Sequence, residues 1–148
     1  MRISTDVDPN PRLNFAFDYL LSYNTETGRS SSWDHTGRFQ GFWVPLRTLS
    51  FFASLGLRYK EREAEGLELD QNYSVNWAPF PDGLLNLSLA YNHTIDTRDN
   101  ESRIFSSQID WQLTRTTLLT VRYNVGTIEN DRVTNDVQNV RATFRTYY

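Results

Sequence analysis

The sequence predicts an all-β chain: eight antiparallel strands, used as four repeated hairpins and wound up and down into a barrel. Three observations predict it. No window carries the apolar spacing of a long amphipathic helix, whereas strict two-residue alternation returns along nearly the whole chain. The links between the alternating runs are short and long in turn. Aromatic residues recur at run ends with the period of a hairpin. A length of 148 residues suits one domain.

The first run starts at Leu13, where Leu13, Phe15, Phe17, Tyr19, Leu21 and Tyr23 oppose Asn14, Ala16, Asp18, Leu20, Ser22 and Asn24. Successive strand residues point to opposite faces, so this run has one apolar and one polar side. A weaker run, His35–Trp43, carries Phe39 and Trp43 beside two glycines. Leu49, Phe51, Ala53, Leu55, Leu57 and Tyr59 form the third apolar set, and Leu67, Leu69, Tyr73, Val75 and Trp77 the fourth. The fifth is Leu85, Leu87, Leu89 and Tyr91; the sixth, Phe105, Ile109, Trp111 and Leu113. The seventh is Leu119, Val121, Tyr123 and Val125. In the last run the apolar set moves to even numbers, Val140, Ala142, Phe144 and Tyr148, opposed by Asn139, Arg141, Thr143 and Arg145. Residues 1–12 hold Asp6, Asp8 and two prolines and are set apart as a polar N-terminal segment, leaving 13–148 for the barrel domain.

Pro45–Thr48, Pro79–Gly83 and Thr114–Thr116 are predicted tight turns, two of them marked by proline. Thr25–Ser32, Glu61–Gly66, Ile95–Ser102 and Gly126–Asn135 are longer polar links. An eight-stranded meander puts the tight turns and both chain ends on one side and the long loops on the other. Superposing the hairpins exposes the repeat. Tyr23, Tyr59, Tyr91 and Tyr123 each close a run before a long loop, while Trp43, Trp77 and Trp111 each close one before a tight turn.

Two polarities are open to such a barrel, and three features favour the apolar face outward. An eight-stranded barrel is only just wide enough for side chains to fill, so small polar residues suit its inside and Leu, Phe, Tyr and Trp its outside. Tyr and Trp sorted to opposite rims, with an aliphatic band between, match the two interfaces of a lipid bilayer. Asp18, Arg38, Arg58, Lys60, Asp110, Arg122, Arg141 and Arg145 all fall on the polar side and would face the lumen. At mid-depth toward lipid an Arg would cost roughly 2–4 kcal/mol.

Composition removes other classes. A formal charge of −3 argues against a nucleic-acid partner. The absence of cysteine removes disulfides, thiolate zinc sites and thiol catalysis. The longest stretch without Asp, Glu, Lys or Arg, Gly83–Ile95, is too short for a spanning helix of about 20 residues.

Alternating strands with Tyr and Trp girdles, short turns on one side and loops on the other, resemble a bacterial outer-membrane β-barrel protein. The resemblance covers Leu13 to Tyr148. Val140, Phe144 and Tyr148 on one face resemble the C-terminal strand signal that the family's assembly machinery reads, although Thr146 departs from the apolar pattern. The resemblance implies periplasmic tight turns and termini, extracellular long loops, and the bilayer, lipopolysaccharide and assembly machinery as partners. Residues 1–12 contain no apolar leader core. A mature chain with an added Met and a segment excised from a longer barrel are both consistent with that.

The function expected is non-enzymatic: a porin-like channel or channel wall, with a closed small barrel acting through its loops as the alternative. A lipid-modifying enzyme and a soluble ligand-binding barrel trail behind. His35, with Asp34 and Ser30–Ser32 nearby, and His93, within reach of Ser102 and Asp96, match no catalytic motif and suit a headgroup zone better. The loops are acidic, with Glu61, Glu63, Glu65, Glu68 and Asp70, then Asp96, Asp99 and Glu101. The Asp96–Glu101 run lacks the glycine and closing glutamate of a calcium loop, so solvated loops are the default. A loose divalent-cation role beside lipopolysaccharide is the alternative, and no metal site or cofactor is expected.

Overall fold

A computed structural model describes residues 1–25, 32–61, 66–80, 82–97, 100–130 and 133–147. They form one antiparallel sheet of nine strands in sequence order. The strands are β1 (Arg2–Asn10), β2 (Leu13–Asn24), β3 (Ser32–Leu46), β4 (Leu49–Lys60), β5 (Gly66–Trp77), β6 (Leu85–Asp96), β7 (Glu101–Thr114), β8 (Thr117–Asn130) and β9 (Val133–Thr146). The all-β, up-and-down reading holds; the count of eight does not.

The extra strand lies in the segment set apart as polar. Ile3, Thr5 and Val7 stand opposite Tyr19, Phe17 and Phe15, so β1 does alternate. Two aspartates and two prolines mask that period. The register breaks between Val7 and Asn10, around Pro9, a residue tolerated at sheet edges because it has no N–H to donate. Nor is the sheet closed: β1 and β9 are its two edges. An odd strand number also separates the chain ends, which were expected on one side. The Met1 ammonium donates to the Leu21 carbonyl at the loop end (2.6 Å), whereas the Tyr147 N–H donates to the Thr116 carbonyl at the turn end (2.8 Å).

Two connections differ from expectation. Gly126–Asn135, read as a loop, is mostly ladder, with β8 and β9 paired as far as Asn130 opposite Val133. Thr127, Ile128, Thr134 and Val137 are β-branched and extend the strands beyond the apolar band. Conversely, β5 ends at Trp77 and β6 starts only at Leu85, with Gly83 in the left-handed region (φ 72°).

The parity switch of the last run has a register cause. Phe144 pairs with Leu119 and Val140 with Tyr123, which carries the even residues of β9 onto the face of the odd residues of β8. A one-residue slip would put the whole set on the wrong side.

Among the described residues, no apolar side chain is buried. Phe17 is 42% exposed, Leu57 47% and Phe144 62%, all on the same face. A single sheet layer cannot cover its own apolar face. Burial of such a side chain is worth about 1.5–3 kcal/mol, and this sheet leaves that stabilisation to whatever covers it.

Candidate functional site

The two faces of the sheet are the candidate functional surface. On the apolar face, aromatic neighbours pack across strands: Phe15 on Phe39 (ring centroids 5.9 Å), Trp43 on Phe51 (5.4 Å), Tyr73 on Tyr91 (6.5 Å) and Tyr23 on Trp33 (4.6 Å). Trp33 and Tyr73 add to the Tyr and Trp series singled out in the sequence. Extending the alternation of the weak run back from His35 to Trp33 would have found the first.

The series is not level in the hydrogen-bond register. Trp43 stands opposite Phe51, itself opposite Val75, two residues short of Trp77. Trp77 stands opposite Leu87, itself opposite Ile109, two residues short of Trp111. Through His35, Tyr59 is level with Leu21, two residues turnward of Tyr23. Tyr91 is level with Ala53, and Tyr123 with Leu89, again turnward of the tyrosine before. Both series therefore step in one direction, the tryptophans by two residues for every two strands.

All eight charged residues assigned to the polar side share that face by register, and several are held by near neighbours. Arg2 makes a bidentate pair with Asp18 (2.9 and 2.8 Å), and Asp18 stands opposite Arg38. Arg58 reaches Glu68 at 3.3 Å. Asp110 accepts from Thr120 (2.6 Å) and Gln108 (2.5 Å), and Asp70 from Thr94 (2.9 Å). Lys60 lies opposite Gly66 at the loop end. Arg122 stands directly opposite Arg141, a repulsive placement, and Arg145 lies farther toward the turn on the same strand. The β8–β9 edge is thus basic, while β1 at the far edge carries Asp6 and Asp8 on the same face.

Both histidines lie on the apolar face at the loop end. His35 Nδ1 is 2.7 Å from the Tyr19 hydroxyl, and its ring lies beside Tyr59 (6.1 Å). Asp34 and Ser32, adjacent in the strand, take the opposite face, so that constellation is not assembled. His93 Nε2 lies 2.5 Å from Glu101 Oε1, and Arg103 clamps both oxygens of the same carboxylate at 2.6 Å. Arg103 first, and then His93, hold the Glu101 carboxyl below its usual range. Glu101 is opposite Ile95, beyond Tyr91 and outside the band between the two aromatic series. Ser102 pairs with Thr94 on the other face, and Asp96 accepts from the Asn100 side chain (2.9 Å) and backbone (3.2 Å). Val140 and Phe144 lie on the apolar face as expected. Tyr148, Ser30, Ser31, Glu63, Glu65 and Asp99 lie outside the described residues.

Searches of protein-family models, curated proteins and solved structures found no match to this chain.

Proposed function

We propose that this sheet is part of the wall of an outer-membrane β-barrel, with its apolar face against lipid and its polar face lining a water-filled channel. The stepped aromatic series carries the reading. Strands of a membrane barrel tilt by roughly 35–45°, so residues forming a level ring must step along successive strands in one direction. A stagger of about one residue per strand is that of an eight-stranded barrel of shear eight, tilted by roughly 36°. The tryptophans step at this rate, which suits one bilayer interface, while the tyrosines step the same way less evenly, by two, six and two residues. Most of the exposed large apolar side chains share one face, Leu20 and Phe42 being exceptions, and most charged residues of the strand interiors share the other, which supports the same orientation.

The open edges bear on the size of the barrel. In hydrocarbon, each unsatisfied N–H or C=O costs several kcal/mol, so further strands must cover β1 and β9. Those two strands run in the same direction. Strict antiparallel closure therefore takes an odd number of additional strands, and the channel is wider than nine strands alone would enclose.

Leu55→Arg, mid-strand on the apolar face, should block folding into lipid vesicles, while Ser54→Arg on the polar face should leave it nearly unchanged. Heat-shifted electrophoretic mobility reads both, and comparable folding of the two variants would overturn the orientation. Conductance in a planar bilayer tests the open lumen once further strands cover β1 and β9, and silence from that closed, folded barrel would remove the channel reading.

A further inference from the structure

A recess of about 340 Å³ opens at the loop end of β2, β3 and β4 on the apolar face, lined by Leu21, Trp33, His35, Tyr59 and Glu61. Its floor is one row across three strands, because Leu21 stands opposite His35 and His35 opposite Tyr59. Trp33 and Glu61 form the rim above. The backbone N–H of Trp33 donates to Glu61 Oε2 (2.8 Å), and the Glu61 N–H donates to the Trp33 carbonyl (3.2 Å), which holds the carboxylate at the mouth.

The aromatic walls are set in place beforehand. Trp33 packs on Tyr23 at 4.6 Å, and His35 is held by the Tyr19 hydroxyl at 2.7 Å and lies 6.1 Å from Tyr59. None of the described lining residues is Lys or Arg. Indole and phenol faces together with one anchored carboxylate suit a cation that is itself partly apolar. Ring quadrupoles attract such a group most when it is a weakly hydrated organic ammonium.

We propose that this recess binds an organic ammonium group, with Trp33 and Tyr59 as the aromatic walls and Glu61 as the counter-charge. Two sources share that chemistry: the ethanolamine headgroup of a zwitterionic phospholipid and a free amine from the outside. The proposal depends on the membrane orientation only for the lipid source, because the recess itself is a feature of the fold.

The test is a calorimetric titration of tetramethylammonium chloride into protein folded in an uncharged maltoside micelle. Heat-shifted mobility establishes folding first, and so separates failure of the membrane reading from failure of the site. Saturable binding is expected, weakened about tenfold or more by Glu61→Gln and by Trp33→Leu, a change of about 1.4 kcal/mol. Glu129→Gln, at the loop end of β8, should leave it unchanged. The neutral isostere 3,3-dimethylbutanol should bind far more weakly. Equal binding of the neutral isostere, or full affinity in folded Glu61→Gln, would overturn the proposal. Repeating the titration in phosphatidylethanolamine and phosphatidylglycerol bilayers identifies the source. Competition by the first alone assigns the site to the lipid headgroup, and equal affinity in both assigns it to a free amine.

Discussion

Gly126 shows how closely neighbouring backbones approach near the loop end of β7 and β8. A Cβ there would run into the Arg103 carbonyl oxygen and lie 2.9 Å from the Ile104 Cα. Neither is a flexible side-chain end that could move aside. Gly126→Ala should therefore destabilise the folded protein by about 1–3 kcal/mol, the usual cost of overpacking, as read by denaturant unfolding in micelles. The neighbouring Glu101 gives a pH signature. Its folded carboxyl titrates below the ordinary glutamate range because Arg103 and then His93 favour the charged form. The stabilisation is fully present above the unfolded value and lost as pH falls through the lower folded value. Wild type and Glu101→Gln should therefore differ in unfolding midpoint near neutral pH and converge in strong acid. The charge chemistry here was visible as residue types, but which of Ser102, Asp96, Glu101 and Arg103 meets His93 was not. Strand parity puts Arg103 beside His93 and leaves Ser102 on the other side.

At the scale of the element, two-residue alternation specified most strands and their faces. The even-numbered apolar set of β9 was legible in the sequence, and pairing of Phe144 with Leu119 gives it the same face as its neighbours. Ala142→Arg, level with Val121 between the two aromatic series, should hence impair folding into vesicles, and Thr143→Arg, one residue away on the polar face, should not. A midplane Arg toward lipid costs roughly 2–4 kcal/mol, enough to separate the two in a folding titration. Alternation failed where its contrast was low. Ile3, Thr5 and Val7 alternate with Arg2, Ser4, Asp6 and Asp8, but one threonine and two prolines dilute the signal. The long ladder beyond Gly126 was missed for a similar reason: polar residues on both faces look like a loop until a partner strand is aligned with them.

For the whole molecule, the strand count governs the rest. Nine strands set the chain ends at opposite ends of the sheet and leave β1 and β9 running the same way. Hydrogen exchange on protein folded in micelles should show protected amides in β4, β5 and β6. The outward amides of β1 and β9 should exchange rapidly until further strands cover them. Full protection of both edges in the isolated chain would show that β1 and β9 join each other in parallel, and would remove the need for additional strands. On the proposed barrel-wall reading, strands covering the two edges would meet Asp6 and Asp8 at one and Arg141 and Arg145 at the other.

By itself, the sequence determined the local and periodic features: strands rather than helices, two unlike faces, and Tyr and Trp in repeating positions. These follow from side-chain order along the chain, because successive strand residues alternate by backbone geometry alone. Only the tertiary structure decided that residues 2–10 join the sheet, that the sheet stays open, and that His35, Tyr59, Trp33 and Glu61 form one recess. Each of these depends on which residue of one strand stands opposite which residue of the next. That is a matter of hydrogen-bond register between segments distant in the chain, and no single strand carries it in its own sequence.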